Sequence, residues 1–313
     1  MNISGGAQEL LLSNAMVTLS DNARGAFIMM ASMTAFTVND TFMKSLLAEL
    51  PLFQTMFLRG CATTGLLIVL VYFLSALPSG LGLKDRWLLI ARTVMEVAST
   101  WFFLSALSHM PLANVSAILQ ALPLAVTLAS AVFLSEPIGW RRLGAITIGF
   151  CGVLLIVRPG TEGFTVYSLY ALLAVICVTV RDLTARQMSA SVPSIVVALA
   201  ASVGVTLFAG FGAISVEWSP LALSTAFNLL GATVFLVGGY IASVAAMRVG
   251  DVGFVAPFRY SSLIVALLLG WLVFGEWPRP VTLIGAALVV GTGIFTFYRE
   301  RRLAKNRARI PAV

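Results

Sequence analysis

The chain has 313 residues, 59% hydrophobic and only 11% charged, where soluble proteins carry roughly 25% charged residues. That composition excludes a water-soluble globule, whose surface could not be built from it, and a disordered chain, which needs far less apolar surface. The net charge of +7 would suggest an acidic partner if it were evenly spread, so its location matters more than its size.

A bilayer core about 30 Å thick requires roughly 20 apolar residues per helix. After a cytoplasmic N-terminal segment, residues 1–24, such runs lie at 25–47, 52–77, 87–108, 112–135 and 140–157, here helices 1 to 5. Helices 6 to 10 follow at 165–187, 194–216, 221–247, 252–275 and 280–298. The links are short, so no soluble domain is inserted. The apolar patch Leu10 to Leu12 has no basic region before it, so no cleavable signal peptide is expected. The chain closes on a basic tail, residues 299–313, with Arg299, Arg301, Arg302, Lys305, Arg307 and Arg309 against Glu300. Such a tail is expected on anionic lipid, each cation contributing on the order of 1 kcal/mol. Nucleic acid is the weaker reading, because nothing folded accompanies the run.

In the links and at the helix ends, a cytoplasmic N-terminus leaves thirteen Lys and Arg residues on the inner side and three, Lys44, Arg158 and Arg279, on the outer. This positive-inside bias puts both termini in the cytoplasm. Trp87 and Trp140 fall at inner boundaries and Trp218 and Trp277 at outer ones, as interface anchors do. Cys61, Cys151 and Cys177 have no paired spacing and read as small core hydrophobes. With His109 the only histidine, no histidine-rich metal site is expected.

At an offset of 142, FTVNDTFMK (36–44) falls on VTVRDLTAR (178–186), setting Asp40 over Asp182 and Lys44 over Arg186. At 140, FLSEP (133–137) falls on VFGEW (273–277), setting Glu136 over Glu276. Glycine-spaced final helices follow, GAITIGFCG from Gly144 and GAALVVGTG from Gly285. Composition alone would not align the polar residues. The expected fold is therefore an all-α membrane protein whose ten transmembrane helices form two five-helix repeats, 25–157 and 165–298. Five is odd, so the second repeat enters the membrane inverted, and such symmetry places a shared site near the midplane.

The segment FLSEPIGWRRLGAITIGFCGVLLIVRPG, Arg59 early in helix 2 and the repeated five-helix unit resemble the EamA family of the drug/metabolite transporter superfamily. The helix 9 segment APFRYSSLIVALLLGWLVFGEWP is similar to that of bacterial metabolite carriers, riboflavin and S-adenosylmethionine importers among them. The resemblance covers 25–298 and implies a transporter of the cytoplasmic (inner) membrane. With the aromatic content, it makes riboflavin import the first substrate expectation, with export or import of another metabolite such as an amino acid or S-adenosylmethionine beside it.

Asp40, Arg59, Arg92, Glu96, Arg181, Asp182 and Arg259 lie within the helices, where a charge costs about 2.5–3.5 kcal/mol at the centre and must face another charge, water or a solute. Depth pairs Asp40 with Arg59 in the outer third and Asp182 with Arg259 in the inner third, either as alternating gates or as static register pairs. Arg92 and Glu96, one turn apart, can pair locally. Glu96 is the coupling candidate, since a carboxylate desolvated near the midplane can carry a proton. Glu136 and Glu276, at helix ends, read as snorkelling or capping residues. Pro123 and Pro257 break helices 4 and 9, the corresponding helices of the two repeats, for a solute site or for packing. Trp101, Phe102, Gln120, Tyr240 and Tyr260 offer flat surfaces and hydrogen bonds to a planar or amphipathic solute.

No GxxxxGK[ST], HExxH or GxSxG motif is present, so a gradient-driven secondary carrier is expected rather than an ATPase or an intramembrane enzyme, with no cofactor. A channel is the remaining alternative and would show no counterflow. The glycines of helices 5 and 10 permit close helix approach, either inside the chain or across a homodimer.

Overall fold

The computed structural model describes residues 4–73, 80–135, 139–159, 165–189, 191–250 and 252–307. Ten helices in the expected order make up this part of the chain. Helix 1 is Ser4–Glu49, helix 2 Leu52–Phe73 and helix 3 Leu83–His109. Helix 4 comes in two pieces, Leu112–Leu119 and Leu122–Phe133, and helix 5 is Trp140–Val157. Helices 6, 7 and 8 are Val166–Gln187, Ser194–Ala213 and Leu223–Val249. Helix 9 runs as Val252–Val255, a 3-10 turn Ala256–Tyr260, and Ser261–Phe274; helix 10 is Pro280–Arg307. Among the described residues nine spans are long and apolar enough to cross a membrane. Helix 1 is the tenth, its apolar run diluted by Asn39, Asp40 and Lys44 and packed on helices 8 and 9.

Beyond small shifts such as those at the start of helix 3, Leu83 for 87, and the end of helix 7, Ala213 for 216, two boundaries differ from the sequence reading by more than a turn. Helix 1 begins within the segment expected to precede it, because Ala7, Gln8, Glu9 and the leucines that follow are good helix formers with no proline to stop them. At about 1.5 Å per residue it is roughly 70 Å long, twice a bilayer core. Helix 10 likewise continues into the basic tail, through RERRLAKNR, since Arg, Glu, Leu, Ala and Lys all favour the helix. Glu136 and the end of the span drawn to residue 77 lie outside the described residues.

The helices pack across the two repeats more than within them. Helix 1 lies on helix 8 and helix 3 on helix 6, the same contact seen from each repeat, while helices 2 and 7, 5 and 10, and 4 and 9 meet as equivalents. Residues 142 apart touch directly: the Thr64 and Thr206 hydroxyls at 3.1 Å, and Gln120 Nε2 donating to Ser262 Oγ at 2.5 Å. A residue meets its own repeat-mate only beside a two-fold axis, so the Thr64–Thr206 pair, at the 142-residue offset of helices 1 and 6, marks the pseudo-axis of the inverted repeat. Trp87, Trp140, Trp218 and Trp277 are exposed at the helix ends. Cys61 and Cys151 are exposed and Cys177 is half-buried. These cysteines are therefore not core residues, because an outward apolar face suits a thiol as well in lipid as in the interior.

Helices 5 and 10 cross in backbone contact. A Cβ on Gly152 would stand 2.7 Å from the Gly285 carbonyl oxygen, and one on Gly285 2.5 Å from that of Gly152. The two glycines thus serve this internal crossing, whereas Gly144 would meet nothing within 4 Å. Gly152→Val should push the helices apart and destabilise the protein by about 1–3 kcal/mol, read as a lower melting temperature in detergent, while Gly144→Val should leave it unchanged. Equal melting of the two variants would overturn the assignment.

Candidate functional site

Helices 3 and 6, running side by side, bring two adjacent pairs of charges together. Arg181 Nη1 donates to Glu96 Oε2 at 3.1 Å and to Oε1 at 3.3 Å, and its Nε donates to Asp182 Oδ1 at 2.9 Å. Arg92 Nη1 stands 4.0 Å from Glu96 Oε2. The local Arg92–Glu96 pair drawn from sequence is therefore the weaker contact. Glu96 belongs to Arg181 on the other repeat, since a flexible guanidinium from a facing helix can align its fork with a carboxylate. Asp182 is likewise held by its neighbour Arg181, and Arg259, its expected partner, is an electrostatic neighbour.

Asp40, on helix 1, accepts a hydrogen bond from Asn39 Nδ2 at 2.9 Å and attracts Arg59 of helix 2 electrostatically. Arg59 also feels Glu96 and Tyr240, which ties this pair to the helix 3–6 row. Tyr240 comes from helix 8 and feels Glu96, Arg181, Arg59 and Arg92, on helices 2, 3 and 6. Its ring meets Phe36 edge-on at 5.2 Å, yet 54% of its surface is open. Tyr240 is thus half open while standing within electrostatic reach of charges on three other helices.

The two breaks meet beside this row. Pro123 cannot donate to the Leu119 carbonyl, and helix 4 is interrupted at Gln120 and Ala121 just ahead of it. Pro257 lies in the 3-10 turn of helix 9. Gln120 reaches Ser262 across the gap, Ser262 Oγ donates to the Arg259 carbonyl at 3.1 Å, and Thr37 Oγ1, which donates to the Met33 carbonyl at 2.9 Å, lies 3.5 Å from the Ser262 carbonyl. The breaks are thereby joined to each other and packed against helix 1.

The aromatic set expected from sequence divides. Trp101 contacts Phe102 and Tyr170, with centroids 5.0 and 5.5 Å apart, in a cluster continued by Tyr167 stacked on His109 at 3.7 Å. Tyr260 is buried with its ring against Gly293 of helix 10. Of the aromatic side chains proposed for the pathway, Tyr240 interacts with the charges of helices 2, 3 and 6, and Tyr260 with Arg259 alone.

Sequence reading missed a node at the far end of helix 1. Lys44 Nζ donates to Glu276 Oε1 at 2.6 Å and to the Met110 carbonyl at 2.7 Å, and Glu276 Oε2 accepts from the Leu112 N–H at 3.0 Å. Glu276 does cap a helix, but it is helix 4 of the other repeat. Gly275, at φ 65°, provides the left-handed turn that aims it. The aligned glutamates were the available signal; the partner was not legible because it is remote in sequence. Nearby, Gln54 clamps the helix 7–8 link, donating to the Ser219 carbonyl at 2.8 Å and accepting from its N–H at 2.9 Å. Among the described residues no group of three His, Cys, Asp or Glu side chains could hold a metal.

Comparison with known proteins places this geometry. The profile of the EamA-like transporter family matches residues 23–158 and again 165–298. A riboflavin transporter of Brucella anthropi is 29% identical over 224 residues, 67% of this chain and 76% of its own. An S-adenosylmethionine uptake transporter of Rickettsia conorii is 25% identical, covering 88% of this chain and 92% of its own. The pseudopaline exporter CntI of Pseudomonas aeruginosa is 27% identical over 85% of this chain and 93% of its own. One protein of solved crystal structure shares the fold with a TM-score of 0.61 over 90% of this chain and 99% of its own, at 19% identity. Two successive matches, each spanning one five-helix repeat, cover nearly all of the sequence, and the chain belongs to the EamA-like transporter family.

Proposed function

We propose that this multi-pass membrane protein is a secondary carrier that moves a small organic metabolite across the bacterial cytoplasmic membrane by alternating access. The observation that carries the reading is the row of charges joining helix 3 of one repeat to helix 6 of the other, beside two broken helices and an open Tyr240. Ionic groups at that depth are retained where they border a solute path, and inverted repeats rocking about such a site expose it to each side in turn. In this reading both termini are cytoplasmic, the Lys44–Glu276 node seals the outer end, and the tail contacts anionic lipid.

Relatives named for S-adenosylmethionine uptake support an importer, one named for pseudopaline export supports the reverse direction, and one named as a riboflavin transporter supports that solute. Riboflavin is the first solute to test. Proteoliposomes preloaded with unlabelled solute should accumulate labelled solute above the external concentration, with saturable rates, whereas a channel would only equilibrate it. Absence of counterflow across a panel of flavins, nucleosides and amino acids, all of which bind without being moved, would sink the carrier reading.

A further inference from the structure

We infer that Arg259 receives an oxyanion, a carboxylate or a phosphate group, of the transported solute. This rests on the carrier reading and narrows its ligand to an anionic solute, which uncharged riboflavin is not. Along the row joining helices 3, 6 and 9, three guanidiniums, Arg92, Arg181 and Arg259, share two carboxylates, Glu96 and Asp182. Arg181 bonds both carboxylates. What remains for the other two arginines is too little. Arg92 is 4.0 Å from Glu96, and its Nε and Nη1 are shielded without a hydrogen-bond acceptor. The Arg259 guanidinium has Asp182 as an electrostatic neighbour but no hydrogen bond among the described residues, and it is exposed.

Arginine cannot relieve this by losing its proton, and its fork of five donors asks for a bidentate acceptor. A carboxylate or phosphate supplies both the missing negative charge and two acceptor oxygens. A neutral solute supplies lone pairs and leaves the third cation uncompensated at a depth where charge is costly. Of the two under-served arginines, Arg259 is the accessible one. It also follows Pro257 in the 3-10 turn, where its carbonyl is held by Ser262 and hence by Gln120 of helix 4. An anion seated there touches the junction of the two broken helices. Arg59 likewise has only an electrostatic counter-ion, Asp40, but Asp40 is not shared with a second bonded arginine, and Arg59 is less exposed than Arg259.

The test is binding to the purified protein in detergent at constant ionic strength, followed by melting temperature. Benzoate and benzamide share shape and differ in charge; phenyl phosphate separates the phosphate from the carboxylate source. Saturable stabilisation by benzoate or phenyl phosphate, and none by benzamide, is expected. Arg259→Gln should weaken the apparent affinity about tenfold or more, Arg259→Lys should keep part of the charge preference, and Arg92→Gln, which balances the row without touching Arg259, should weaken binding by a smaller factor. Since Arg259→Gln removes an under-served cation, its unliganded melting temperature should be no lower than the native one, which separates lost binding from lost folding. Equal stabilisation by benzamide, no stabilisation by either anion, or an unaltered response in Arg259→Gln would each overturn the inference. Anion binding without counterflow of any solute would instead leave the site standing and sink the carrier.

Discussion

Glu96→Gln should produce the largest loss in both stability and transport. It takes the counter-ion from Arg181, which Glu96 meets at 3.1 Å, and from Arg92, whose side chain is only 18% exposed. Removing one partner of such a pair leaves charge stranded in a low-dielectric interior, at a cost of about 3–5 kcal/mol. The double variant with Arg181→Gln should recover much of that loss, because the surviving groups are again close to balance. Both melting temperatures are measurable in detergent, and a single variant as stable as its parent would dismiss the row as a structural element. Proton flux in proteoliposomes tests the second role: turnover with full proton coupling in Glu96→Gln removes Glu96 as the coupling residue.

Lys44→Met should come next. The ammonium binds Glu276 and the Met110 carbonyl and lies over the Phe274 ring, so one side chain ties helix 1 to the helix 3–4 link and to helix 9. Lys44 is 11% exposed and Glu276 26%, buried enough that the unpaired carboxylate should cost about 3 kcal/mol. Glu276 would still accept the Leu112 N–H. Glu276→Gln added to Lys44→Met removes the stranded charge and should restore part of the stability, yet not the tie between repeats. If this end must open during transport, both variants should expose the neighbouring helix 1 positions to a membrane-impermeant thiol reagent, using cysteine introduced at Ser45. Unchanged labelling in both variants would show that the node does not hold this end shut.

The charge row shows where sequence reasoning stopped. Asp40, Arg59, Glu96, Asp182 and Arg259 stand out individually, because an ionisable residue in a 20-residue apolar run is costly wherever the chain goes. Their pairing does not stand out. Depth alone matched Asp182 to Arg259, but Arg181, one residue away, folds back onto the carboxylate and reaches Glu96 with its other arm. Tyr240 and Tyr260 read alike in the sequence, yet the fold leaves one half open beside the charges of helices 2, 3 and 6 and buries the other against Gly293 with Arg259 as its charged neighbour.

The solvent, the all-helical class, the count of spans and the inverted duplication are determined by the sequence alone, because each depends on one-dimensional quantities: run length, hydropathy, the spacing of aligned polar residues and the parity of crossings. Glu276 capping the helix of the opposite repeat, Gly152 lying on Gly285, and Arg92 and Arg259 competing for too few carboxylates were decided only by the tertiary structure. Those contacts join residues remote in sequence, and a few ångströms of helix rotation, which no local pattern encodes, determine which side chains meet.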